Sequence, residues 1–307
     1  MKKLVLFFFL AVSLAAAQAE RGAMQREAYI YVAPDVKSQR LGKMLRGREV
    51  VVIETSRGFI KVLGELDNDR NVSGWILDKG IVRANTPNGD KVLFGEAVDS
   101  ENEASRRGGR RGADRDALRL YYRVYELFPK SELAGEALWR AADIRWQLEK
   151  VDVMSRKSAK EMDARLRQEI TDDWMKEVQK KFPGTKWADL AAYARLDNKV
   201  CGEWQGLPKC PENESEMYEK YVKEHPNSPK AAEALYNAAW RQAALVEIYR
   251  ERGDTGKSEA AKSKARALAQ QIIGLAMGAK EGDWAYRAQR LIYMLEQGIP
   301  TYGPALE

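Results

Sequence analysis

The chain has 307 residues, of which 45% are hydrophobic and 31% are charged, a composition that excludes a collagen-like or wholly disordered protein. Its 51 basic and 45 acidic residues nearly balance at a formal charge of +6, without the strong basic excess expected of a nucleic-acid-binding protein. A single histidine and two cysteines leave few candidates for a metal site or a Cys/His nucleophile pair. We therefore expect no catalytic residues, no metal and no cofactor.

The first 19 residues have the order of segments expected of a secretory signal peptide. Met1-Lys2-Lys3 supplies positive charge, a largely apolar run follows over residues 4–17, and Ala17-Gln18-Ala19 provides a small-x-small cleavage site. The apolar run is short for a membrane-spanning helix, which needs about 20 residues, although a retained anchor is the alternative. We predict cleavage after Ala19 and a periplasmic or secreted mature chain without a transmembrane segment.

Residues 24–84 contain strand-length apolar runs that are separated by turn residues. The runs are rich in β-branched and aromatic residues, which favour strands. They cover residues 28–32, 50–53, 59–62 and 74–77. Four or five short strands within about sixty residues predict a small all-β barrel.

The order of these pieces resembles the bacterial SH3 domain. The resemblance rests on an opening aromatic strand, a Leu-Gly-x-x-Leu-x-Gly turn at 41–47, a Gly-Phe-x-Lys-Val strand at 58–62, and a closing Gly-Trp-Ile at 74–76 followed by Gly-Ile-Val at 80–82. The family implies a peptide-binding module, often directed at cell-wall peptides in exported proteins.

The SH3-like resemblance also implies a ligand-binding face. Carried over by position, that face consists of Tyr29, Tyr31 and Trp75. The alternative is that the aromatic residues form the barrel core. We favour the core for Phe59 and leave both interpretations open for Trp75.

Residues 85–113 show neither helix nor strand periodicity and predict a flexible linker. An Arg-Arg-Gly-Gly-Arg-Arg-Gly run at 106–112 follows several acidic residues, a mixture that cannot form a packed core. Such a run can also bind RNA or an anionic surface. For an exported protein we expect no nucleic-acid partner, which leaves an anionic lipid surface as the alternative to a solvated linker.

From residue 114 onward, apolar residues recur at spacings of three and four, which predicts amphipathic helices. A helix stop occurs three times, as Phe-Pro-Lys-Ser at 128–131, Phe-Pro-Gly-Thr at 182–185 and His-Pro-Asn-Ser at 225–228. Alanines follow three and six positions after each hydroxyl residue. Proline ends the first helix, the hydroxyl residue caps the second, and the small alanines let the two helices approach. The pattern predicts repeated helix hairpins.

These junctions resemble tetratricopeptide repeats of the divergent periplasmic kind, as in the outer-membrane β-barrel assembly lipoprotein and the Tol-Pal coordinator. The resemblance implies a helical solenoid over residues 114–297 and a tail over 298–307. Pro129, Pro183 and Pro226 are 54 and 43 residues apart, whereas the family repeats about every 34 residues. We attribute the extra residues between Pro129 and Pro183 to an additional segment near 151–160 and to a helix lengthened through 162–174.

The extra residues between Pro183 and Pro226 include both cysteines of the chain. Cys201 and Cys210 bracket a turn-rich stretch that contains Gly202, Gly206 and Pro208. In the oxidising compartment that the signal peptide predicts, this spacing indicates a disulfide. A redox-active pair is the alternative, but the Cys-x-x-Cys spacing is missing.

Together these features predict a multidomain protein, with a small all-β SH3-like barrel followed by an all-α tetratricopeptide-like solenoid. Two binding-type modules without a catalytic constellation predict an exported, non-enzymatic interaction or scaffold protein of the bacterial cell envelope. Its expected partner is an envelope protein or a cell-wall peptide. The alternatives are a peptidoglycan hydrolase or its targeting subunit, and a barrel that packs on the solenoid and serves only as structure.

Overall fold

The computed structural model describes residues 20–276 and 282–302, so the predicted signal peptide and the end of the predicted tail lie outside the described residues. An antiparallel β-sheet comes first, and a succession of α-helices follows it. The β-then-α layout expected from the sequence is confirmed.

The sheet has seven strands, all paired antiparallel. They are β1 (Arg21–Met24), β2 (Ala28–Tyr31), β3 (Arg40–Met44), β4 (Glu49–Ser56), β5 (Phe59–Glu65), β6 (Asn71–Leu77) and β7 (Ile81–Arg83). Their spatial order is β3-β2-β6-β5-β4-β1-β7. The four predicted runs correspond to β2, β4, β5 and β6, whereas β1, β3 and β7 lie outside them.

Strand β1 begins at Arg21, so the sheet starts earlier in the chain than the predicted boundary at residue 24. Its residues have short or flexible side chains and little β-propensity, so its position comes from pairing with both β4 and β7. Gly22 permits this pairing, because an added Cβ would lie 2.8 Å from the Ile81 side chain. The strand therefore depends on its neighbours rather than on its own sequence.

Successive side chains along each strand point to opposite faces of the sheet. Ile30, Ile60 and Ile76 are fully buried in the core on the inner face. Their neighbours along each strand, which include Tyr31 and Trp75, consequently point to the outer face.

The remainder of the described chain is mostly helical. The helices are α1 (Gly89–Ser105), α2 (Ala113–Leu127), α3 (Ala134–Met154), α4 (Asp173–Lys181), α5 (Lys186–Ala194), α6 (Lys209–Glu224), α7 (Ala231–Glu251), α8 (Thr255–Ala276) and α9 (Gly282–Gln297). Short 3₁₀ helices occupy Lys157–Lys160, Ala164–Leu166 and Arg195–Asn198. Neighbouring helices pack on one another, as in α1 with α2 and α6 with α7.

The three predicted helix stops share one backbone geometry. Phe128, Phe182 and His225 end their helices with φ of −127°, −128° and −131° and ψ of 57°, 52° and 58°. Each donates its backbone N–H to the carbonyl four residues earlier. Proline follows directly in each case and prevents continuation of the helix, as predicted.

The second half of each junction agrees with the prediction only in part. All six alanines of the predicted small face are buried. Thr185 caps its helix, its hydroxyl accepting from the Ala188 N–H at 3.4 Å. The capping prediction is wrong for Ser131 and Ser228, whose hydroxyls accept at 3.1 Å from the N–H two residues on, in a turn that precedes the helix.

The flexible-linker prediction for residues 85–113 is wrong, because α1 occupies most of this stretch. Leu93 and Ala97 are fully buried in an apolar cluster with α2 and with Ala23 and Val82 of the sheet. The buried stripe of α1 has a single large apolar residue, so the sequence shows no clear amphipathic pattern. The Arg/Gly run forms the turn between α1 and α2.

The helix predicted over residues 162–174 is also wrong, since α4 begins only at Asp173. The segment between α3 and α4 is held by the 3₁₀ helix that follows α5. The Asn198 side chain accepts from the Ile170 N–H at 2.9 Å and donates to the Ile170 carbonyl at 2.8 Å. These bonds satisfy backbone groups that a helix would otherwise satisfy internally.

The sheet packs directly on helices α1 and α2. Gly47, in the turn between β3 and β4, has φ of +70°, and an added Cβ would lie 2.5 Å from Arg119 of α2. At this close approach the Arg119 Nε donates to the Arg46 carbonyl at 2.9 Å. The sheet and the helices therefore share an interface, one of the arrangements that the sequence left open.

Candidate functional site

The predicted ligand residues Tyr31 and Trp75 meet on the outer face of the sheet. They are partners in the pairing of β2 with β6. Phe59 lies edge-on to Tyr31, with ring centroids 6.5 Å apart. The three rings form a cluster of their own, and each is only 8–9% exposed. Phe59 is buried as expected, but it packs in this cluster and not in the inner core.

Tyr29, the third predicted ligand residue, lies outside this cluster. Its side chain is 42% exposed, two residues before Tyr31 on the same face of β2. The Arg40 guanidinium lies 4.1 Å from the centroid of its ring, a cation–π contact. A ligand on this face would meet Tyr29 and only the edges of the buried rings.

A larger concave site lies where the outer face of the sheet meets α2 and α4. Its volume is about 460 Å³, within the range usual for ligand pockets. Val51 and Leu63 line it on the sheet side, and Tyr122 and Trp174 line it on the helical side. We refer to this site as the sheet–helix groove.

The helical wall of the sheet–helix groove is a stacked aromatic pair. The Tyr122 and Trp174 rings are 4.4 Å apart at an angle of 9°. The Arg145 guanidinium lies 4.7 Å from the Trp174 ring centroid. Burial is the main cause of a raised pKa of the Tyr122 hydroxyl, which stays protonated. Stacked rings give a flat, rigid surface on which apolar side chains can pack.

Arginines hold the two walls of the sheet–helix groove together. Arg123 of α2 donates to the Gly47 carbonyl at 3.2 Å and pairs with Glu49 of β4 at 3.3 Å. Burial lowers the pKa of Arg119, and the nearby charge of Arg48 lowers it further, although Asp116 opposes both effects. Arg119 and Arg123 therefore join α2 to β4 and to the turn that precedes it.

Sequence reasoning missed the sheet–helix groove, although one signal was present. Tyr121 and Tyr122 are consecutive on α2, and Tyr121 is fully buried in the helical core. Adjacent helical residues point in different directions, so Tyr122 had to lie beside that core. Which surface it meets depends on Trp174, 52 residues away.

Cys201 and Cys210 form the predicted disulfide, with their Cα atoms 6.1 Å apart. A buried glutamate secures the loop that they close. One oxygen of Glu214 accepts from the Cys201 N–H at 2.9 Å and from the Trp204 indole at 3.2 Å. The other accepts from Arg241 at 3.0 Å. No sequence signal pointed to Glu214.

Within residues 20–276 and 282–302, no three His, Cys, Asp or Glu side chains converge as a metal site requires. In the same part of the chain, no helix combines the length and the apolar character needed to cross a membrane.

A scan of the chain against models of known protein families gave no match, and a search of curated proteins found no significant relative.

Proposed function

We propose that this chain is an exported, non-enzymatic binding protein of the bacterial cell envelope. In this proposal an SH3-like sheet and tetratricopeptide-like helices act together. The observation that carries the proposal is the sheet–helix groove, whose walls come from both regions. Ligand sites are common where domains meet and where apolar walls are edged by a few polar groups.

The expected occupant of the sheet–helix groove is a segment of an envelope protein or a cell-wall peptide. An apolar or aromatic side chain of the partner would pack on the Tyr122–Trp174 pair, because buried aromatic contacts dominate the energy of many interfaces. Leu63, which is 46% exposed on the opposite wall, would close over it. The engaged arginines would keep the walls apart and so preserve the space.

Crosslinked capture of partners from envelope extract and from purified cell-wall sacculi tests this proposal. Leu63→Arg places a long charged side chain in the groove at an exposed position, so the fold should tolerate it. We expect capture to fall about tenfold, the effect of losing one strong contact. Ile53→Arg is the matched control, since Ile53 is 55% exposed on the neighbouring strand and does not line the groove. Equal capture by the two variants would contradict the proposal.

The part of the outer face of the sheet that carries Tyr29, Tyr31 and Trp75, here called the aromatic face, is a second proposed contact surface. Tyr29 is exposed there, together with Leu77 at 37% on β6, so the face is partly apolar. Tyr29→Ala should weaken binding to sacculi without unfolding the sheet, because the side chain is not part of the core. Unchanged binding would remove Tyr29 from the ligand-binding residues.

A zymogram on cell-wall substrate distinguishes a binding protein from a peptidoglycan hydrolase. We expect no clearing of the gel by the purified chain. Clearing that persists after repurification would overturn the non-enzymatic proposal.

A further inference from the structure

The two segments that interrupt the repeat spacing meet each other in the structure. One is the stretch 155–172 between α3 and α4, and the other is the stretch 199–208 before α6, which contains most of the disulfide loop. A groove of about 590 Å³ lies at their meeting point against α6. We refer to it as the insert groove.

Backbone contacts fix the walls of the insert groove. The Gly202 N–H donates to the Glu161 carbonyl at 2.9 Å, and the Glu203 N–H donates to the Lys160 carbonyl at 3.2 Å. An added Cβ at Gly202 would lie 2.5–2.6 Å from backbone atoms of residues 159–161, so only glycine permits this approach. Arg167 adds a bond from its guanidinium to the Val200 carbonyl.

The floor of the insert groove is apolar and rich in sulfur. Met162 comes from the first segment and Met217 comes from α6, and the Cys201–Cys210 disulfide lines the groove with them. Methionine side chains are flexible and polarisable, which lets such a surface adapt to apolar groups of different shape. The disulfide keeps one side of the floor in place.

The rim of the insert groove carries positive charge. Arg165, Lys199 and Lys209 line it, and all three are exposed. Asp163 offsets Arg165 through an ion pair of 2.7 Å. The carboxylate of Glu214 is offset by Arg241 at 3.0 Å. The charges of Lys199 and Lys209 therefore set the potential of the rim, and they attract anionic groups.

We infer that the insert groove binds a polypeptide segment of a partner in which an apolar side chain is flanked by carboxylates. The apolar side chain packs on the two methionines and the disulfide, while the flanking carboxylates pair with Lys199 and Lys209. This inference rests on the proposed binding function and assigns a second contact surface and its partner chemistry. Because the disulfide forms part of the floor, binding requires the oxidised protein.

Fluorescence anisotropy with labelled pentapeptides tests the inference on the full chain. The probes carry a central Leu, Met or Phe flanked on both sides by Asp and Glu, and a second set carries the same central residues flanked by Lys. We expect saturable binding of the acidic set and none of the basic set. Failure of every acidic probe to bind, or equal binding of both sets, would overturn the inference.

Charge reversal on the rim locates the binding site. The double variant Lys199→Glu/Lys209→Glu should weaken acidic-peptide binding about tenfold or more, since it replaces attraction by repulsion. Lys79→Glu/Lys130→Glu is the matched control, because it makes the same change in net charge at exposed lysines outside the groove. Equal affinities of the two double variants would place the peptide elsewhere and overturn the inference.

Removal of the disulfide tests the contribution of the floor. Cys201→Ser/Cys210→Ser should lose peptide binding while circular dichroism shows the helices retained. Retained affinity in this variant would overturn the requirement for the oxidised protein. If the acidic peptides fail while Leu63→Arg still lowers capture from envelope extract, the proposed function stands and the insert groove alone is discarded.

Discussion

The three proline junctions and the two segments that form the insert groove are held by different kinds of contact. At the junctions the backbone hydrogen bonds are local, as in the N–H of Phe128 donating to the Val124 carbonyl. In the inserted segments the bonds join distant residues, as in the Gly202 N–H donating to the Glu161 carbonyl and the Ile170 N–H donating to the Asn198 side chain. Local chemistry that recurs can be identified in a sequence, whereas chemistry that depends on a remote partner cannot.

The largest expected effect follows replacement of Glu214, the residue of α6 that accepts hydrogen bonds from Cys201 and Trp204 of the second inserted segment. Glu214→Ala leaves the Cys201 N–H, the Trp204 indole and the Arg241 charge without their acceptor. Breaking a buried ion pair in this way costs about 3–5 kcal/mol. Urea denaturation measures the loss, and Glu216→Ala, at an exposed position on the same helix, is the control. A loss equal to that of the control would mean that distant contacts do not hold these segments.

The next largest effect is expected on removal of the disulfide. Cys201→Ser/Cys210→Ser should lower the free energy of unfolding by about 2–3 kcal/mol, because the unfolded chain regains the entropy of an open loop. The wild type in dithiothreitol should show the same loss, measured by thermal melting. A double variant as stable as the oxidised wild type would show that Glu214 alone secures the loop.

A smaller effect is expected at the junctions, where Thr185 caps α5. Thr185→Ala should cost about 1 kcal/mol, since it leaves a helix N–H without its hydroxyl acceptor. Thr185→Ser keeps the hydroxyl and should restore most of the loss, as measured by denaturant midpoints. If serine gives no rescue, the loss comes from packing and the junction is less local than the geometry indicates.

The smallest effect is a pH dependence at the first junction. The Ser131 hydroxyl donates to Asp90 at 2.6 Å, and this bond lowers the pKa of the Asp90 carboxyl below its ordinary value of 3.8. The resulting stability is present above pH 3.8 and is lost as the pH falls through the pKa of the folded state. The melting temperatures of Ser131→Ala and wild type should therefore converge as the pH falls below 3.8.

Ser228→Ala is the matched control for that pH dependence. Ser228 holds the equivalent junction position, but its hydroxyl bonds to Tyr221 at 2.5 Å and not to an acid. Its difference in melting temperature from wild type should stay constant over the same acidic range. A convergence like that of Ser131→Ala would exclude Asp90 as the cause.

Whether an element could be predicted depends on how far apart in the chain its contacting residues lie. Residues 59–62 and 74–77 alternate between a buried and an outer face, and both runs are strands. Helix α1 was missed because Leu93 is the one large residue in its buried stripe and its contacts come from the sheet and from α2. Of the three predicted ligand residues, Tyr31 and Trp75 pair across neighbouring strands while Tyr29 stands apart, and their role in ligand binding stays a prediction.

The sequence by itself determined the strand runs, the helix stops and the disulfide. Each depends on the chemistry of residues close together in the chain: alternation, the fixed φ of proline, or a turn-rich loop between two cysteines. Only the tertiary structure decided how the sheet docks on α2, that 89–105 is a helix, and where the two grooves form. These features arise from pairs such as Tyr122 with Trp174, whose contact exists only after the chain has folded.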